Sequence, residues 1–301
     1  MVASATEIEW MSDLKLAGKK AAAENKLLLV EFTGSDWCRY CIIQKKDVLD
    51  KPEFAEWVEK HCVAVEIDVP HDASRVGGAE QKAINQKLCD DYNISSFPSL
   101  MLMTPERVLI GGYNGAQRTP QGAISSLEMH FSTAKELKAA MKKTKLERAK
   151  ALKAVYDRQP DEVRKGNFRL VELIAKADAG NVTGIQDEYL PVKQMRTLND
   201  KLDKATAAEE RLSIIDATLE KALPKNKADI LKRKEMELNT AAIALTRNPS
   251  CVEDIVKARD YYLQSAECSG KISQKEKIMQ YYADPEKLYQ EALKRRQSQS
   301  K

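Results

Sequence analysis

Hydrophobic and polar positions alternate differently in the two halves of this 301-residue chain. Leu27 to Phe32 is an apolar, partly β-branched run closed by Thr33-Gly34-Ser35-Asp36, the pattern of a buried strand running into a turn. After Cys38, Ile42, Ile43, Val48 and Leu49 recur among Gln44, Lys45, Lys46 and Asp47, as on a helix. Upstream, Ile8 to Glu24 predicts a first helix that ends at Asn25-Lys26. Downstream, Pro52 to Val58 opens with proline at a helix start, and Cys62 to Val69 reads as a second buried strand. The excursion from Pro70 through Gly77-Gly78 is too polar to be core. Gln81 to Tyr92 is helical; Ser99 to Met103 follows Pro98 as a strand, Arg107 to Tyr113 pairs with it, and Thr119-Pro120 starts a further helix. Strands and helices mixed over about 130 residues predict a compact α/β unit.

Past residue 134 the strand signals almost vanish. Helical patterns are expected over 134–156, 161–177, 185–205, 207–223, 229–246, 251–266 and 273–294, with Gly180, Pro224, Pro249 and Gly270 marking breaks. The expected organisation is a first domain over 1–134 and an all-α domain of antiparallel helices over 135–301.

Two cysteines, Cys38 and Cys41, stand where the first strand hands over to a helix. Residues i and i+3 share a helical face roughly 5–6 Å apart, a separation a disulfide can bridge. The unpaired N–H groups and positive dipole end of a first helical turn stabilise a thiolate, so Cys38 is expected to ionise below the free-thiol value of ~8.5. Only the thiolate attacks a disulfide, which makes Cys38 the candidate nucleophile and Cys41 the resolving thiol. An inert structural disulfide and half of a zinc site are the alternatives. The zinc reading lacks a second C-x-x-C or H-x(3–5)-H, and no metal is expected. Cys62 and Cys89 fall on apolar faces and read as core thiols. Cys251 and Cys268 lie at opposite ends of one expected helix, about 25 Å apart, and should not pair.

Composition narrows the class. No apolar run approaches the ~18 residues of a membrane span, and the N-terminus lacks a basic segment followed by an apolar core, so neither membrane nor signal peptide is expected. Residues 1–134 carry 19 Asp and Glu against 14 Lys and Arg, and the remainder carries 35 basic against 26 acidic side chains. The basic residues alternate with acids and lack interleaved aromatics, which points to solvated helix faces and away from nucleic acid. The helical half offers no catalytic constellation and reads as a docking or dimerisation module, a homodimer being one form it would take.

Thr33-Gly34-Ser35-Asp36-Trp37-Cys38-Arg39-Tyr40-Cys41 before a helix, with Ser95-Ser96-Phe97-Pro98-Ser99 some 55 residues on, resembles the thioredoxin superfamily. The likeness runs most toward bacterial proteins related to the C-terminal domain of periplasmic thiol–disulfide interchange reductases. It implies a thioredoxin fold followed by the helical extension, and a thiol–disulfide oxidoreductase needing no cofactor. By the same resemblance Cys38 attacks, Cys41 resolves, and Pro98 is a cis-proline shaping the groove. Glu31 takes the place of the buried acid beneath the resolving cysteine, and the lysine often paired with that acid is absent from the 64–66 strand. Trp37, Arg39, Tyr40 and Phe97 would contact substrate. The partners implied are protein thiols or disulfides and an upstream redox protein, in a periplasmic or secreted setting. From another class, a redox-silent adaptor would use the same fold and helices to bind a partner.

Overall fold

The computed structural model describes residues 7–299. Residues 1–6, where the N-terminal stretch read above for a leader begins, lie outside that range, as do 300–301. The apolar 27–32 run forms β2 (Leu27–Thr33), the middle of a five-stranded mixed sheet. On one side β2 pairs in parallel with β3 (Cys62–Asp68), from Leu27 opposite Cys62 to Thr33 opposite Asp68. On the other it pairs antiparallel with β4 (Ser99–Met103), which pairs antiparallel with β5 (Leu109–Asn114).

The first helix begins later than its hydrophobic pattern suggests. The Asp13 side chain accepts from the Lys15 and Leu16 N–H groups and so fixes α1 to Leu14–Glu24. This frees Trp10–Met11 to form β1, a two-residue strand parallel to β3 at the sheet edge. The sheet order is β1-β3-β2-β4-β5.

Both faces of β2 are buried, which explains a continuous apolar run in place of alternation. Leu28, Val30 and Phe32 join Val63, Val65, Ile67, Met101 and Met103 against Leu14, Ala17 and Ala21 of α1. On the opposite face Leu29, Leu100 and Leu102 meet Phe54 and Val58 of α3 (Pro52–His61), together with Ala123 and Leu127. The helical segment carrying Cys41 belongs to this second face. It comprises α2 (Arg39–Gln44) and a π-helical turn, Lys45–Leu49. α4 (Ala79–Asp91) and α5 (Pro120–Glu128) complete the elements up to residue 134.

The compact unit does not end there. It extends to Tyr189, and the second unit starts at Leu190, 55 residues beyond the boundary expected from the loss of strand signals. The long helix expected over 134–156 is broken into α6 (Phe131–Met141) and α7 (Lys145–Arg158) at an extended Thr144. The one expected over 161–177 is broken into α8 (Asp161–Lys165) and α9 (Phe168–Ala177). Leu137, Leu152, Leu170 and Ile174 from these helices join the core that holds Leu100 and Leu102.

The break at 166–167 has a specific cause. Asn167, fully buried, accepts from Leu109 N–H at 3.1 Å and donates to Leu109 C=O at 2.8 Å, so its amide stands in for a neighbouring strand on the outer edge of β5. Gln159 supports it, donating to the same carbonyl at 3.0 Å and accepting from Asn167 at 2.9 Å. Gly166 lies so close to the Tyr92 carbonyl that a Cβ would sit 2.1 Å from it.

The second unit is helical: the remainder of α10 (Gln186–Leu202), α11 (Ala208–Leu219), α12 (Lys227–Arg247), α13 (Val252–Cys268), α14 (Gln274–Tyr281) and α15 (Pro285–Gln299). Leu212, Leu238, Ile255 and Tyr282 share one core, and Leu198, Ile215 and Ile230 another. Arg211 grips Glu237 through two nitrogens at 2.9 and 2.6 Å. Cys251 and Cys268 are both free thiols. Among the described residues no helix is long and apolar enough to cross a membrane.

Candidate active site

A turn between β2 and α2 places the first cysteine. Gly34 C=O accepts from Cys38 N–H at 2.8 Å and from Trp37 N–H at 3.2 Å, closing the turn, and Cys38 becomes the N-cap of α2. Its sulfur accepts from the Cys41 N–H at 3.2 Å. Cys38 and Cys41 are joined in a disulfide with Cα atoms 5.2 Å apart. Both are buried, at 6% and 3% exposure.

The polar segment after β3, which looked like a surface excursion, holds this turn in place. Asp36 accepts from His71 N–H at 2.8 Å and from Asp72 N–H at 2.9 Å. These bonds, the one from Asp72 foremost, hold the Asp36 carboxyl below its ordinary value. Asp68 accepts from Ser35 N–H and Ser35 Oγ, and Arg75 donates to the same hydroxyl. The Trp37 indole donates to Val69 C=O at 2.8 Å, stacks on His71 and meets Phe97 edge-on. A Cβ at position 34 would lie 2.4 Å from the Trp37 ring, so the glycine is a condition of that placement.

Opposite the turn, Phe32 pairs with Ser99, so the segment before β4 reaches the same end of the sheet. The Phe97–Pro98 bond is cis. Pro98 C=O accepts from Gly115 N–H, and Ser99 Oγ donates to Asn114, anchoring the segment to the end of β5. Trp37 (41% exposed), Tyr40 (59%) and Ile42 (53%), the apolar residues next to the two cysteines in the chain, are exposed, as is Arg39, and Phe97 is half-buried.

Glu31 is buried within the sheet. The register makes one cross-strand row of Glu66, Glu31, Leu100 and Tyr113. Burial, reinforced by Glu66, pushes the Glu31 carboxyl up to about 8, while Lys45 pulls the other way. Burial also raises Glu66, followed by the charge of Asp68. Glu31 and Cys41 line one open cavity of about 410 Å³ together with Lys45, Glu66 and Asp68. The strand lysine missing from 64–66 is thus answered in part from the helix: Lys45 lies one turn beyond Cys41, where it also pairs with Asp50. That role was not read from the sequence, although the i+4 spacing from Cys41 was its available signal.

Residues 14–123 match the family model described as a thioredoxin-like domain. The chain carries a thioredoxin-like domain. This agrees with the expected thioredoxin fold followed by helices. Two curated relatives from Chlamydia pneumoniae are similar to the domain. One, named disulfide bond reductase DsbH, is 31% identical over 103 residues, covering 34% of this chain and 60% of the relative. The other, thioredoxin-related protein DsbJ, is 32% identical over 99 residues, covering 33% of this chain and 28% of the relative. The chain therefore spans less than two thirds of either relative's length. A solved structure titled DsbH oxidoreductase is 26% identical, with 43% of this chain and 90% of that one covered at a TM-score of 0.37. The helices beyond residue 123 lie outside the family match. The thioredoxin-like domain and its Cys38–Cys41 disulfide fit a thiol–disulfide oxidoreductase family.

Proposed function

We propose that the chain reduces or isomerises protein disulfides, with Cys38 as nucleophile and Cys41 as resolving thiol. The observation that carries this reading is the N-cap position of Cys38, whose sulfur accepts the Cys41 N–H, in a segment whose apolar Trp37, Tyr40 and Ile42 are exposed. In the reduced chain the same N–H and the helix start stabilise a Cys38 thiolate. The thiolate attacks one sulfur of a substrate disulfide, forming a mixed disulfide and releasing a substrate thiolate, which takes a proton from solvent. Cys41 then loses its proton, across their shared cavity, to Glu31 in the fraction of chains where that carboxyl is ionised, and attacks Cys38 Sγ. The second substrate sulfur leaves as thiolate and is protonated. Two electrons have passed to substrate, and the chain is left with the 38–41 disulfide.

An extended substrate strand would lie along Ser95–Phe97, whose N–H and C=O groups enter no backbone–backbone hydrogen bond among the described residues. Trp37, Tyr40 and Phe97 give it apolar contact, and Arg39 supplies a charge. An upstream redox protein returns the electrons, in a periplasmic or secreted setting. Cys62 and Cys89, free thiols in the core, take no part. The helical unit from Leu190 would serve docking or self-association; Ile272, Met279 and Tyr281 are exposed there.

The second reading, a redox-silent adaptor, draws on the slight exposure of Cys38. Insulin reduction with dithiothreitol as electron source separates the two. Wild type should accelerate precipitation of the insulin B chain and Cys38→Ser should not. An inactive wild type would favour the adaptor.

A further inference from the structure

At the other end of β2 from the disulfide, roughly 20 Å away along seven residues of strand, lies a cavity of about 420 Å³. Its interior is apolar: Leu27, Phe131, Ala134, Leu137 and Met141 line it. One side is a fixed aromatic wall, with Phe131 stacked on Trp57 at 6.0 Å and both rings meeting His61 at 5.4 Å. The polar lining is nearly all of one sign. Lys60 of α3, Lys135 and Lys138 of α6, and Lys26 from the connection between α1 and β2 reach the cavity, against a single carboxylate, Glu106. Lys26 is paired with Glu24, and Lys138 donates to Asn25. Lys60 and Lys135, both exposed, have no ion pair among the described residues.

A concave apolar site of this volume, with a few convergent polar groups at its edge, has the dimensions of small-molecule sites. Four lysines against one glutamate make the complementary head group an anion. Ammonium groups act as point charges and demand no bidentate fork, so a single carboxylate suffices. Burial, with the Lys60 charge next, lowers the His61 pKa, which leaves the ring neutral near pH 7 with one N–H to donate to such a head group. We propose that this cavity binds a small anionic amphiphile, a monocarboxylate with a saturated tail, its tail against Phe131, Leu137 and Met141 and its head between Lys60 and Lys135. The site involves neither cysteine of the disulfide and stands apart from the redox reading.

Titration calorimetry of the full chain with octanoate, decanoate and dodecanoate below their micellar concentrations tests this. One carboxylate should bind per chain, with affinity rising about fourfold per methylene until the cavity is full. Decanol and decyltrimethylammonium should bind at least about tenfold more weakly, the cost of losing the charge match. Reversing the exposed rim in Lys60→Glu/Lys135→Glu should weaken decanoate by a similar factor, with the thermal transition retained. Filling the cavity with Ala134→Trp should abolish binding. Hydrogen exchange over 131–141 should slow on adding decanoate to wild type, a readout that needs no variant. Absence of decanoate binding, equal binding of decanol, or an unchanged affinity in the charge-reversed chain would each overturn the assignment.

Discussion

Cys38 and Cys41 are almost as closed to solvent as Cys62 and Cys89: all four are buried in the same unit, at 6% and 3% against 3% and 1% exposure. They differ in what each sulfur can meet. Cys62 opens β3 and Cys89 lies near the end of α4, each among aliphatic neighbours. Burial pushes both thiols up, Cys89 to about 12, leaving them protonated and inert. Cys38 instead caps a helix and accepts an N–H, and Cys41 lines a cavity that the Glu31 acid also lines. Burial therefore does not separate a structural thiol from a reactive one; the polar groups presented to the sulfur do.

That contrast can be broken most sharply by alkylation of the reduced chain. Cys38 should react with iodoacetamide at an inflection below that of free cysteine, while Cys62 and Cys89 react only when the fold opens. Peptide mapping reads the difference, and equal rates at the three sites would erase it. A smaller effect is expected at the acid. Glu31→Gln removes the proton acceptor while keeping the shape, and should slow disulfide reduction by about 100-fold.

The same substitution has a signature in stability. The folded-state value of about 8 for Glu31 lies above the ordinary 4.5, so the native chain holds a proton that the unfolded chain releases. The oxidised wild type should therefore lose stability as pH rises from 4.5 to 8, on the order of 3 kcal/mol by pH 7. Glu31→Gln should flatten most of that slope in denaturant titrations, with Glu66 contributing what remains. An unchanged slope would place the charge elsewhere.

The smallest effect concerns what holds the sheet and not the sulfur chemistry. Asn167→Ala leaves Leu109 N–H unpaired in the interior and should cost about 2 kcal/mol, read as a lower denaturation midpoint with the disulfide still reducible.

Asn167 also marks where sequence reading stopped. The central strands were legible because two-sided burial writes a continuous apolar run, and the cysteine pair because its spacing and position carry their own chemistry. Nothing in the pattern around Asn167 says that a side-chain amide will pair with a strand edge. The helices up to Tyr189 share the sheet's unit through this contact together with the apolar core that holds Leu152, Leu170 and Ile174 against Leu100 and Leu102. The turn's supports were hidden for a similar reason. Asp36, His71 and Asp72 are ordinary polar residues until β2 and β3 bring their loops together. The early start assigned to α1 shows that apolar periodicity alone overruns a helix boundary that a capping aspartate sets.

Covalent trapping tests most directly that Cys38 is the attacking sulfur. In Cys41→Ser the reduced chain should form a stable mixed disulfide with an oxidised protein substrate, mapped by mass spectrometry to Cys38. An adduct at another cysteine, or none under conditions where wild type turns over, would contradict the account.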